Sequence, residues 1–246
     1  MAVWRDLLDL ILPRRCVLCG GAAGEGDLCG ACRESLGKAH GWRCLACGAL
    51  LPAIGAACCA PPERTALDAL WAAFDYGPAV RDSVHRVKFG RDHRLCRSLG
   101  RLTARLAARG IPLPAAEVVP VPLSRRRARE RGFDQAVLLA REIGRAMQVP
   151  LADGRLARVR DIPPQATLDA AARRANPRGA FAAAGRRGAP GGIVLLVDDV
   201  YTTGATMDEC ARVMKEAGAT LVAGAVFACA PREGAAEGAP AGRGRG

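Results

Sequence analysis

Between Ile193 and Val197 the chain carries five apolar residues with no polar alternation, the pattern of a strand buried on both faces of a parallel sheet. The run predicts a strand that stops at two acids, Asp198 and Asp199, where the apolar requirement lapses. Thr202-Thr203-Gly204-Ala205-Thr206 follows, and Met207 to Ala217 then shows the apolar spacing of a helix. Upstream, 70–76 reads as a strand and Gly77-Pro78 as a turn into a helix through Phe89. Two further helices, at about 95–109 and 134–147, flank a strand at 117–121. Residues 151–156 make a weak strand and 221–227 a strong one. Strands alternating with helices predict an α/β fold, a parallel sheet flanked by helices, whose ligands bind beyond the carboxyl ends of the strands. Asp198 and Pro122 both fall at such ends. At the start of the chain Trp4, Leu7, Leu8 and Ile11 share one helical face, which predicts a short amphipathic helix over 3–12 that packs rather than binds membrane.

The segment after Asp199 has the chemistry of an anion cradle. Backbone N–H groups at a helix start have no intrahelical partner and the helix dipole is positive there, so a phosphate is held by the turn with the Thr202, Thr203 and Thr206 hydroxyls as extra donors. Gly204 allows close approach. The carboxylates would repel that phosphate, so they face another part of the ligand, and vicinal ribose hydroxyls fit. Together these residues describe a pocket for a ribose 5-phosphate unit. Thr206 and Glu209 also match a capping box, but capping leaves two carboxylates at a strand end unexplained.

Composition changes the picture in two ways. The formal net charge of +12 comes almost wholly from arginine, which suits phosphate-bearing partners, either nucleic acid or a phosphorylated metabolite. No apolar run approaches the roughly 18–20 residues that span a bilayer, and Asp6 and Asp9 interrupt the N-terminal apolar stretch, which argues against a signal peptide and for a cytoplasmic protein without membrane insertion.

Eight of the eleven cysteines lie before residue 60, at Cys16, Cys19, Cys29, Cys32, Cys44, Cys47, Cys58 and Cys59. In a cytoplasmic chain a Cys-x-x-Cys knuckle sets two thiolates on one edge of a tetrahedron and two knuckles close a Zn²⁺ site, so Cys16, Cys19, Cys29 and Cys32 read as a structural zinc quartet. The second set departs from the pattern because Cys58 and Cys59 are adjacent. There Cys59 alone, or His40, would complete the site, and crossed pairing of Cys16 and Cys19 with Cys44 and Cys47 stays open. Cys96, Cys210 and Cys229 sit in apolar context and read as packed residues. A ribbon this small needs metal for much of its stability.

Five arginines fall within 125–131, directly after Pro120-Val121-Pro122-Leu123-Ser124. A basic loop is commonly a solvated face, but this one leaves the same sheet edge as the phosphate turn. Guanidinium forks there suit further phosphate oxygens beside the ribose phosphate.

The stretch from Val197 to Thr206 resembles the phosphoribosyl-diphosphate signature of type I phosphoribosyltransferases. Pro-Val-Pro-Leu at 120–123, Arg127, Arg131-Gly132-Phe133-Asp134-Gln135-Ala136, Gln165 with Leu168, Arg173 with Asn176, and Phe181 extend the likeness to the ComF family of competence-associated proteins, with its GntX-like relatives. In that family a cysteine ribbon precedes a phosphoribosyltransferase domain, and the resemblance covers residues 1 to about 230. It implies that Arg127, Arg131 and Gln135 flank the diphosphate, beside Ser124 where the family commonly has His. It also implies that Gln165, Arg173 and Asn176 belong to a hood or loop, and it makes Lys88-Phe89 a further family position. Asp134 stands where Asn is usual, a change a helix N-cap tolerates.

These readings divide the chain into a cysteine-rich zinc ribbon (1–62), a phosphoribosyltransferase-like domain (63–231) and a Gly/Ala/Arg tail (232–246). The function implied is binding of phosphoribosyl diphosphate with Mg²⁺. Asp198 and Asp199 orient the ribose, residues 202–206 with Ser124 and Gln135 hold phosphates, Arg127 and Arg131 take the diphosphate, and phosphoribosyl transfer follows if the protein is an enzyme. Purine-salvage relatives carry an acid where this chain has Thr202, which argues against that acceptor. The competing reading is a non-catalytic adaptor that binds single-stranded DNA while its ribbon docks a DNA-uptake helicase or translocase.

Overall fold

Two adjacent strands, β6 (Ile193–Tyr201) and β7 (Leu221–Cys229), form the centre of the sheet, and their side chains are buried on both sides. In this computed structural model residues 15–23, 28–36, 40–56, 58–59, 65–90, 93–124, 128–130, 132–160, 177–184 and 191–230 are described. The sheet order is β1-β2-β7-β6-β3, with β1 (Gly41–Arg43), β2 (Ala69–Asp75) and β3 (Ala115–Pro120). All neighbours pair in parallel except β1, which runs antiparallel to β2. The predicted parallel α/β fold is therefore what the chain adopts.

Strand periodicity assigns the layers. Leu195 and Val197 point into a core shared with α2 (Pro78–Gly90), α3 (His93–Gly110) and α4 (Gln135–Met147), while Val194 and Leu196 point into a second core under α5 (Ala205–Glu216). The second core also receives β4 (Leu156–Arg158) and β5 (Phe181–Ala183), which form a separate antiparallel pair. The weak strand expected at 151–156 divides. Leu151 bridges Val118 in parallel, and the chain then turns before β4. Arg155 in that turn makes a two-pronged pair with the buried Glu117 of β3, at 2.9 and 2.7 Å.

β6 corrects one expectation. The strand does not stop at the acids but continues to Tyr201, because β7 supplies backbone partners as far as Tyr201↔Cys229. On its other side the pairing with β3 ends at Pro120↔Val197. Residues 198–201 are thus hydrogen-bonded along one edge and open along the other.

The ribbon is tied into this sheet. A short helix, α1 (Gly30–Leu36), belongs to the first quartet, and β1 follows as the antiparallel edge strand. Arg43 of β1 donates to Asp75 of β2 at 2.6 Å, and Arg86 of α2 donates to the Leu18 carbonyl at 3.0 Å. The helix expected at 3–12, the hood residues Gln165, Arg173 and Asn176, the loop residues Arg127 and Arg131, and the tail 232–246 lie outside the described residues. Among the described residues no helix is long and apolar enough to cross a membrane.

Candidate functional site: a cavity at the open edge of β6

The edge vacated by β3 is a cavity of about 330 Å³. Asp198 and Asp199 stand in its wall, together with Thr202, Thr203, Gly204, Thr206 and Gln135. Ala205 opens α5 in the same turn without lining the cavity, and Ser124 is buried nearby, also outside the lining. The acid pair and the phosphate-type turn are thus brought together, along with Gln135.

The two acids have different surroundings. Asp199 pairs with Lys88 of α2, Nζ to Oδ2 2.9 Å. Asp198 accepts from the Asp199 backbone N–H at 2.7 Å. Burial, and then the neighbouring Asp199 charge, push the Asp198 carboxyl well above its usual range, against the pull of that N–H and of Lys88. A second cation, or hydroxyl donors, at this position would relieve the strain on the pair, so the donor set fits a hard divalent ion that keeps most of its oxygen ligands.

The phosphate-type turn is built by backbone. Gly204 caps α5 in the left-handed region, φ 77° and ψ −10°, with no side-chain bond of its own, and the Thr203 hydroxyl accepts from the Ala205 N–H at 3.5 Å. The capping box read from Thr206 and Glu209 does not form. Glu209 is buried and instead accepts from the Gly179 N–H at 2.7 Å and from Arg212, which together lower its pKa, the Arg212 bond most. It thereby holds the segment before β5 against α5. A Cβ on Gly204 would overlap the Tyr201 ring, so glycine is required both for the backbone angle and for space.

Across the cavity Asp134 caps α4, accepting from the N–H groups of Ala136 and Val137 at 2.9 and 3.2 Å. It also accepts from Leu123 at 3.2 Å, which fastens the strand-end loop to the helix. Burial raises its carboxyl despite these three donors.

Three lining residues escaped the sequence reading in role: Lys88, Arg158 and Tyr76. For Lys88 there was a signal. It is one of only three lysines among 36 basic residues, placed in the last turn of the helix that follows β2. Arg158 lies over the Phe181 ring at 5.5 Å, a contact that depends on the β4–β5 pairing.

The cysteines settle into two sequential quartets, Cys16, Cys19, Cys29, Cys32 and Cys44, Cys47, Cys58, Cys59, each with its sulfurs within 4.8 Å of one another. Crossed pairing is not found, and the exposed His40 belongs to neither group. A tetrahedron of Zn–S bonds has edges of about 3.8 Å. The Sγ separations are 3.7 Å for Cys19–Cys29, 3.4 Å for Cys44–Cys59, 3.3 Å for Cys47–Cys58 and 3.9 Å for the adjacent Cys58 and Cys59. Both quartets fit zinc, and the vicinal pair supplies two separate ligands. Burial opposes ionisation of Cys16 and Cys44, yet backbone N–H groups turned on each sulfur outweigh it and lower both thiols to about 6. Cys96, Cys210 and Cys229 are packed in the cores, as expected.

Two cysteine quartets ahead of a parallel sheet, with an acid pair and a glycine-capped turn sharing one open strand edge, define a double zinc ribbon joined to a phosphoribosyltransferase-type fold. Residues 7–61 match the double zinc ribbon domain, and residues 133–241 match the phosphoribosyl transferase domain. The chain is 31% identical over 226 residues to DNA utilization protein YhgH of Escherichia coli, covering 87% of this chain and 96% of that one. It is 31% identical over 215 residues to Competence protein F of Haemophilus influenzae, covering 83% and 92%. Over 199 residues it is 31% identical to Competence protein ComFC of Bacillus subtilis, covering 78% and 79%. The chain belongs to the ComF family.

Proposed function

We propose that the cavity binds phosphoribosyl diphosphate and that the protein acts in the handling of DNA, as the names of its relatives describe for them. One observation carries the reading: the acid pair and the glycine-capped turn meet in a single cavity at the one stretch of β6 left open by β3. The Thr202–Thr206 turn holds the 5-phosphate through N–H groups and hydroxyls at the positive end of α5. Asp198 and Asp199 accept from the ribose hydroxyls. Gln135, with Arg127 and Arg131 from the adjoining loop, takes the diphosphate side. Mg²⁺ held near Asp198 and Asp199 would supply charge neutralisation when bound. What the chain's own residues contribute is position and electrostatics around a ribose that gains positive character as the diphosphate leaves. Lys88 holds Asp199 in place at the cavity wall.

Isothermal titration with phosphoribosyl diphosphate and Mg²⁺ tests this. Wild type should bind with saturable heat and Asp198→Ala/Asp199→Ala should not. Equal binding by both would show that the carboxylates do not read the ribose. The formal charge of +12 favours a second reading, an adaptor for single-stranded DNA that keeps the fold without transferase activity. Salt-sensitive DNA binding that survives the same double substitution would favour the adaptor.

A further inference from the structure

Along α3 the arginines at 97, 101, 105 and 109 recur every fourth residue, and all four are exposed. Four residues advance a helix by about 6 Å, so the four form a stripe about 18 Å long. The helix contains no acid. α4 lies beside it and runs the same way: His93 at the start of α3 packs against Phe133 just ahead of α4, ring centroids 3.9 Å apart, and Gly100 packs against Leu139 and Glu142. From α4 come the exposed Arg141 and Arg145. Glu142 is the one acid on either helix, 4.0 Å from Arg101 and 3.6 Å from Arg145. One carboxylate thus sits between arginines of both helices, and the exposed Arg97, Arg101, Arg109, Arg141 and Arg145 set five cations against it, a surplus of four.

The apolar residues of α3, among them Leu95, Leu99, Ala104 and Ala107, are spent on the core. Among the described residues the exposed large hydrophobics are Leu50, Ile54 and Val159, none on α3 or α4. A membrane-seated helix needs apolar residues on its outer side, and base stacking needs an aromatic platform. This surface offers guanidinium forks alone, which match phosphate oxygens.

We propose that the outer face of α3 and α4 binds the phosphodiester backbone of nucleic acid without sequence preference, at a surface separate from the cavity. The assignment rests on the DNA reading above for the class of partner and is independent of phosphoribosyl diphosphate.

The full chain is titrated by fluorescence anisotropy with a labelled single strand of about 30 nucleotides and with the matching duplex, between about 50 and 200 mM salt. Four neutralised phosphates give a log–log salt slope of about −2.8 on the single strand and about −3.6 on the duplex, which tells the two apart. Arg97→Gln/Arg109→Gln/Arg141→Gln should flatten the single-strand slope by about 2 and weaken binding on the order of 100-fold at 0.1 M salt. The matching triple lysine variant should keep the slope, and both variants should melt as wild type does. An unchanged slope in the glutamine variant would place the DNA elsewhere, on the 125–131 loop or the tail, and overturn the assignment while the DNA reading stands. Failure to bind either strand form would overturn both. Loss of binding to phosphatidylserine vesicles in the glutamine variant, with DNA affinity untouched, would also overturn it, making the surface a membrane contact.

Discussion

Replacing Gly204 by alanine tests whether the 202–206 turn is a backbone cradle. Two costs add. The left-handed angles at Gly204 cost an L-residue roughly 1–2 kcal/mol. The new methyl would also stand 2.5 Å from Cζ and 2.9 Å from Cε2 of Tyr201, with the hydroxyl nearer still. Tyr201 is only 6% exposed and packs in the core beneath α5, so its ring cannot step aside without disturbing that core. Overpacking of this kind costs about 1–3 kcal/mol. The sum, about 2–5 kcal/mol, corresponds to a fall in melting temperature on the order of 5–15 °C for a chain of this size. Whatever part is met by moving the turn tilts the amides that face the phosphate, so affinity for phosphoribosyl diphosphate should drop on the order of 10- to 100-fold. Scanning calorimetry reads the first effect and isothermal titration the second. Adding Tyr201→Phe removes the nearest clashing atom and should recover part of both losses. A Gly204→Ala protein that melts within about 1 °C of wild type and binds the ligand equally would refute the reasoning.

Three further outcomes are expected. Because burial raises Asp198 above its unfolded value, the native state binds more protons than the unfolded chain between the two. The associated stability is full at low pH and is lost as pH rises through the folded value, so Asp198→Asn should be more stable than wild type at pH 8 and lose that advantage toward pH 4; melting curves across that range check it, and a constant difference contradicts it. Lys88→Met removes a cation that lowers Asp198 and pairs with Asp199, so ligand binding should weaken at neutral pH and recover toward higher pH, whereas an unshifted affinity–pH profile would deny Lys88 this role. Elemental analysis should find two zinc ions per chain, and chelation should abolish the ribbon's structure before the sheet melts; one zinc would leave the Cys44 quartet without its metal.

The parts of this molecule that could be read in sequence are those whose physics is local. Ile193 to Val197 must be apolar to lie between two helical layers, and a Cys-x-x-Cys knuckle is a metal site at four-residue range. Asp134 as an N-cap was legible for the same reason. What stayed hidden depends on partners distant in the chain. The true end of β6 is set by β7, not by the acids, which looked like a terminus because polarity and strand termination usually coincide. Lys88 meets Asp199 only after α2 folds against the sheet edge. Cys58 and Cys59 look unable to serve one site until the chain brings each to a different knuckle sulfur. β1 has three residues and no alternation, and only its register with β2 reveals that the ribbon extends the main sheet. Glu209 shows the opposite failure, a local capping motif overridden by the hydrogen bond to Gly179.

A crystal grown with phosphoribosyl diphosphate and Mg²⁺ would show one ligand in one orientation. The 5-phosphate should lie among the amides of residues 203–206, with the ribose hydroxyls within hydrogen-bonding distance of Asp198 and Asp199. Density for the sugar phosphate on any other surface, or in this cavity with the ribose turned away from both carboxylates, would contradict it.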